Sequence, residues 1–180
     1  IYKRYGDAAV AVLRENPYRL AQDISGIAFK SADKIAEQLG VPPNSPQRIR
    51  AALLYLLDRA GNSGHVFEPA EILARDAAEL LGIEEGAEVF ESALLALESQ
   101  DQVVREGDAV FTKRLWEAES ESAKLFKRLI SSPGEEVPIK TGKAIEWVEK
   151  TRTIELSDEQ RDAIRTAISE KVLVITGGPG

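Results

Sequence analysis

Lys30 and Lys34 stand four residues apart in the stretch SGIAFKSADKI, just after Gly26 and Ile27. On a helix that spacing puts both ammonium groups on one face. A glycine-apolar hairpin leading into a helix N-terminus lets a nucleic-acid phosphate come close to unpaired backbone amides and to the positive end of the helix dipole. Gly26, Ile27, Ala28, Lys30, Ser31 and Lys34 are therefore the candidate phosphate-contacting set. The alternative is a hairpin kept only as packing scaffold.

A second phosphate-binding pattern closes the sequence, KVLVITGGPG. A loop that wraps nucleotide phosphates needs G-x-x-x-x-G-K-[ST], with glycines for close backbone approach, a lysine for the terminal phosphate and a hydroxyl for magnesium. Gly177, Gly178, Pro179 and Gly180 match the first four of those positions. Alone, such a run is any Gly/Pro turn. The branched apolar residues Val172 to Thr176 before it read as a buried, parallel strand, which is the context the loop requires. The sheet for that strand is expected after Gly180, and the chain to be a piece of a longer protein; an opening Ile1 and the absence of any methionine agree.

Gln160 lies three residues after Ser157 in LSDEQRDAI, which is capping-box spacing and accounts for the glutamine without a ligand. His65 reads as a loop or packing residue. Trp116 and Trp147 fall on helical stripes and read as core or interface anchors. With no cysteine and one histidine, thiol catalysis, disulfides and a zinc site are not expected.

The net charge of −7 is unevenly spread. Residues 1–60 hold 9 Lys or Arg against 6 Asp or Glu, residues 61–121 hold 4 against 15, and residues 122–180 hold 10 against 9. Any nucleic-acid contact belongs in the basic first third, since the acidic middle repels phosphates. Its carboxylates read as a solvated face or as a contact for a basic protein partner. No apolar run approaches a membrane span and no signal peptide is visible, so no membrane contact and a cytoplasmic location are expected.

The elements that must position these residues are mostly helices. Ala8, Ala9, Val12 and Leu13 make one stripe, ended by Pro17. Ala32, Ile35, Ala36 and Leu39 make another, closed by Gly40. Ser45 as N-cap and Pro46 after it open a third, with Ile49, Leu53, Leu56 and Leu57 facing inward. EPAEILARDAAELLG and EEGAEVFESALLALESQD read as two more helices, and VVREGDAVF as a hairpin around Gly107-Asp108. Three helices and a hairpin suggest a winged-helix-like module. A helix from about Lys113 to Ile130, the linker SSPGEEVP, a helix over GKAIEWVEK and a last helix bearing Ala163, Ile164, Ala167 and Ile168 complete the chain.

The hairpin segment resembles the helix-hairpin-helix DNA-binding motif, with Ala28 where that family usually has its second glycine. LSDEQRDAI followed by an apolar strand and GGPG resembles the start of a superfamily 1 helicase core. With ENPYRLAQDISGIAFKSADKIAEQLGV and AGNSGHVFEP, the chain as a whole resembles the N-terminal region of the long-form RecD-like DNA helicases, superfamily 1B relatives of the exodeoxyribonuclease V alpha subunit. That resemblance implies a mainly α chain. Its parts would be a helix-hairpin-helix unit over 1–44, an acidic winged-helix-like module over 45–131, a linker and short helix over 132–156, and the first helix, strand and half P-loop of a RecA-like α/β motor domain over 157–180.

It implies a parent protein that hydrolyses ATP with Mg2+ and moves 5′ to 3′ on single-stranded DNA or DNA junctions in repair or recombination. Gln160 would read the adenine, and Gly177, Gly178, Pro179 and Gly180 would begin the phosphate site. No catalytic or metal-ligating residue is expected within these 180 residues, so the piece alone is expected to be inactive, without bound ATP or Mg2+. Rival readings are a stand-alone helix-hairpin-helix module and a protein-interaction adaptor built on the acidic module.

Overall fold

The structure, a computed structural model, describes residues 2–24, 26–84, 86–132 and 138–178. It is mainly helical with one small sheet, and it divides into two compact units, residues 1–119 and 120–180. The first begins with α1 (Tyr2–Tyr5), a 3-10 turn over Gly6–Ala8 and α2 (Ala9–Glu15). Asn16 leaves α2 in an extended conformation, φ −155°, because Pro17 disfavours a helical residue before it. Then come α3 (Arg19–Asp23) and α4 (Phe29–Gln38).

Gly40 ends α4 as its stripe predicts. At φ +78° it turns left-handed, so that its N–H reaches the Glu37 carbonyl and that of Val41 reaches Ala36, both at 3.0 Å. These are carbonyls the helix would otherwise leave unpaired. The next helix, α5 (Pro46–Asn62), opens with Ser45 Oγ accepting from the Arg48 N–H at 3.3 Å. It buries Ile49, Leu53, Leu56 and Leu57, as the spacing predicts.

β1 (Glu68–Pro69), α6 (Ala70–Leu81), α7 (Ala87–Ser99), β2 (Val103–Glu106) and β3 (Ala109–Thr112) follow. β3 lies between β1 and β2, antiparallel to both, with Glu106 opposite Ala109 and Val103 opposite Thr112. Gly107 at φ +62° makes the tight turn between β2 and β3. One continuous apolar core runs from Tyr18, Phe29 and Ala32 through α5 to Leu73, Leu94, Val103 and Val110. The segment bearing Tyr18, Phe29 and Ala32 is thus seated on α5 by hydrophobic burial.

α8 (Lys113–Ser131) has its residues beyond Glu119 in the second unit, which also holds α9 (Thr141–Arg152) and α10 (Asp158–Ser169). Arg161 Nη2 donates to Glu149 Oε1 at 2.8 Å, and the Leu156 N–H donates to the same oxygen at 2.9 Å, so α9 and α10 are tied at their junction. Ile145 is buried, but Phe126, Ile130 and Trp147 are exposed.

Two expectations are corrected here. Trp147, read as a core or interface anchor, is 67% exposed, so the core half of that reading is dropped. The strand expected over 172–176 is not formed: residues 172–178 are irregular, with Val174 79% and Ile175 70% exposed. A strand exists only by pairing its N–H and C=O groups with a neighbour, and none is present among the described residues. Pro179, Gly180 and most of the SSPGEEVP linker lie outside the described residues.

Candidate nucleic-acid interface

Residues 24–38 carry the hairpin. The Ile27 N–H donates to the Ile24 carbonyl at 3.2 Å across a turn in which Gly26 has φ +91°. A side chain at that φ is strained, so glycine is the residue the turn calls for. Ala28 then takes the N-cap position of α4 in an extended conformation and offers no side-chain acceptor. The first-turn amides of Phe29 and Lys30 consequently have no protein acceptor among the described residues.

Burial sorts the candidate set. Phe29 is 2% exposed, between Tyr18 at 5.8 Å and Tyr55 at 5.6 Å in ring-centroid distance, and it anchors the start of α4. Ala32 and Ala36 face the same way. Gly26, Ala28, Lys30, Ser31 and Lys34 are exposed together on the outward side, while Ile27 is half-buried against the core. Lys30 also lines an open hollow of about 340 Å³ with Arg59, Asp76 and Glu79, so acidic groups share its surroundings.

The brace behind this surface is a polar cluster that sequence reasoning missed. Asp33 accepts from the Tyr18 hydroxyl at 2.8 Å, from Arg48 Nε at 2.8 Å and from Arg48 Nη2 at 2.9 Å. The remaining guanidinium nitrogen donates to the carbonyls of Pro43 at 2.8 Å and Leu81 at 3.2 Å. Partial burial works to raise the Asp33 pKa, but the hydrogen bonds from Arg48 and Tyr18 outweigh it and hold the carboxyl below its usual range. Burial first, and the bond to Asp33 second, push the Tyr18 hydroxyl well up, so it stays a donor. The available signal was an aspartate on the polar side of α4 and an arginine in the first turn of α5, which no local period connects.

The second candidate set is held less closely. Ser157 Oγ accepts from the Gln160 N–H at 3.3 Å, and Gln160 Oε1 accepts from the Ser157 N–H at 3.0 Å, the full capping box at the start of α10. No hydrogen bond among the described residues joins that helix start to Gly177 or Gly178, which are exposed and irregular. Pro179 and Gly180 are outside the described residues. No group of three acidic or histidine side chains suited to a metal ion is found among the described residues, nor a helix long and apolar enough to cross a membrane.

Residues 1–67 match the family model described as the ATP-dependent RecD2 DNA helicase HHH domain, in agreement with a glycine turn that feeds an uncapped helix N-terminus flanked by lysines. The whole chain is similar to the ATP-dependent RecD2 DNA helicase of Deinococcus radiodurans, at 26% identity over an alignment covering 99% of this chain and 26% of that protein. The chain therefore spans about a quarter of the length of the relative it matches. Together these findings support a RecD-like helicase N-terminal region.

Proposed function

We propose that this chain is the N-terminal accessory region and the start of the motor of a cytoplasmic, ATP-dependent 5′ to 3′ DNA helicase acting in repair or recombination. The observation that carries the reading is the exposed row of Gly26, Ala28, Lys30, Ser31 and Lys34 around the uncapped start of α4. There a DNA phosphate would meet free amides and two point charges. In the parent protein Gln160 would read adenine, and Gly177 to Gly180 would open the phosphate loop. ATP and Mg2+ belong to that completed site.

The domain reading of 1–44, 45–131, 132–156 and 157–180 is part of this proposal. The order helix, strand, two helices and hairpin, with β3 between β1 and β2, supports a winged-helix-like module within 45–131.

Labelled single-stranded and duplex oligonucleotides, titrated at several salt concentrations, test the interface. Lys30→Ala and Lys34→Ala should each weaken binding across sequences and reduce the salt slope by about 1. Binding that ignores both changes would sink the assignment and leave the hairpin as scaffold. An adaptor role is the second reading, favoured by α7, which contains Glu88, Glu91 and Glu98 and no Lys or Arg.

A further inference from the structure

α6 and α7 enclose an open trough of about 590 Å³ lined by Ala70, Ala74, Ala78 and Ala87 over a floor of Phe90 and Leu94. The alanines at 70, 74 and 78 form one row along α6, low enough to admit a second helix backbone at close range. The margins are acidic. Arg75 is spent on Asp76 at 3.1 Å and Glu91 on Arg105 at 2.6 Å, whereas Glu71 and Glu88 meet no Lys or Arg within 4.0 Å among the described residues.

We propose that this trough is a docking site for an amphipathic helix of a partner protein, apolar along one stripe and carrying Lys or Arg on both margins. Charge selects the occupant. A helix with no basic residue cannot lie along DNA, so α7 does not present this face to nucleic acid. The trough does not bring its polar groups together at one point, as a small-molecule site would. Carboxylates beside an apolar floor complement a basic amphipathic helix, and α6 with its 12 residues offers a track of roughly 18 Å, about three turns of the incoming helix. The site is independent of the hairpin surface and of the nucleotide reading.

The test uses the full 180-residue chain and a labelled peptide of about 16 residues, with leucines at helical spacing and lysines on both margins. Amide shifts should concentrate on α6 and α7, and a twin with glutamates in place of the lysines should not bind. Glu71→Lys with Glu88→Lys should weaken binding by about tenfold, with the loss shrinking as salt rises. Ala78→Trp should block the trough without changing charge, its fold checked by an unchanged amide spectrum away from α6 and α7. Equal binding of both peptides, shifts elsewhere, or indifference to the charge reversals overturns the proposal. A concentration-dependent dimer that Ala78→Trp abolishes would also overturn it, by making a second copy the occupant.

Discussion

Arg48 grips Asp33 with both arms of its guanidinium, Nε to Oδ1 at 2.8 Å and Nη2 to Oδ2 at 2.9 Å, while its third nitrogen holds the Leu81 carbonyl at the end of α6. One side chain thus joins α4, α5 and α6 behind the hairpin surface. Arg48→Lys keeps the charge but loses the fork, since an ammonium cannot serve two carboxylate oxygens and two carbonyls at once. With side chains 16% and 22% exposed, the pair is sheltered, and Arg48→Ala should cost about 3 kcal/mol in urea unfolding, with Arg48→Lys intermediate.

The same pair makes stability depend on acid. The Asp33 pKa is depressed in the folded chain, so its contribution is present above the unfolded value of about 3.9 and lost as pH falls through the folded value. Stability measured from pH 6 downward should fall more steeply in the natural chain than in Asp33→Asn, which lacks that titration. Parallel curves would show that Asp33 does not carry the acid response.

Gly26→Ala separates strain from contact. Among the described residues no atom beyond its chain neighbours lies within 4 Å of the site where its Cβ would stand, so the cost is the backbone conformation at φ +91°, about 1 kcal/mol or slightly more. Thermal unfolding reads that cost. A loss of DNA binding larger than the stability change would point to closer phosphate approach at this residue.

Thr153 offers the opposite test. It ends α9 at φ +54°, where a branched side chain is disfavoured, and the Ile154 N–H closes the end by donating to Glu149 at 3.2 Å. Thr153→Gly should stabilise the second unit by about 1 kcal/mol, read as slower amide exchange at Ile154.

The capping box of Gln160 is to be separated from the adenine contact proposed for it. Gln160→Glu preserves the capping box, because a carboxylate oxygen also accepts from the Ser157 N–H, but it removes the amide donor that a base would need. In the parent protein the expected result is a raised KM for ATP with unchanged helix stability, whereas Gln160→Ala should raise KM and also lower helix stability, the cap accounting for about 1 kcal/mol. An unchanged KM in Gln160→Glu would leave the glutamine as a cap alone.

Much of the local structure was legible before any coordinates. Ser45, Gly40, Gly107 and the Ser157–Gln160 box act within a few residues of themselves, and each is found where its residue type places it. The inward face of α5 was equally readable, because period and burial coincide there.

The amino-acid sequence alone determined which segments are helical, where they stop, and which third of the chain is basic, since propensity, capping and charge are properties of near neighbours. Tertiary structure decided the rest. It brought Asp33 to Arg48, placed Ala28 as an uncapped helix start facing out, and opened an acid-rimmed trough between α6 and α7. Among the described residues it also left Val172 to Thr176 unpaired, because a ladder, like the Asp33–Arg48 pair, exists only when two distant stretches meet, and no local pattern carries that meeting.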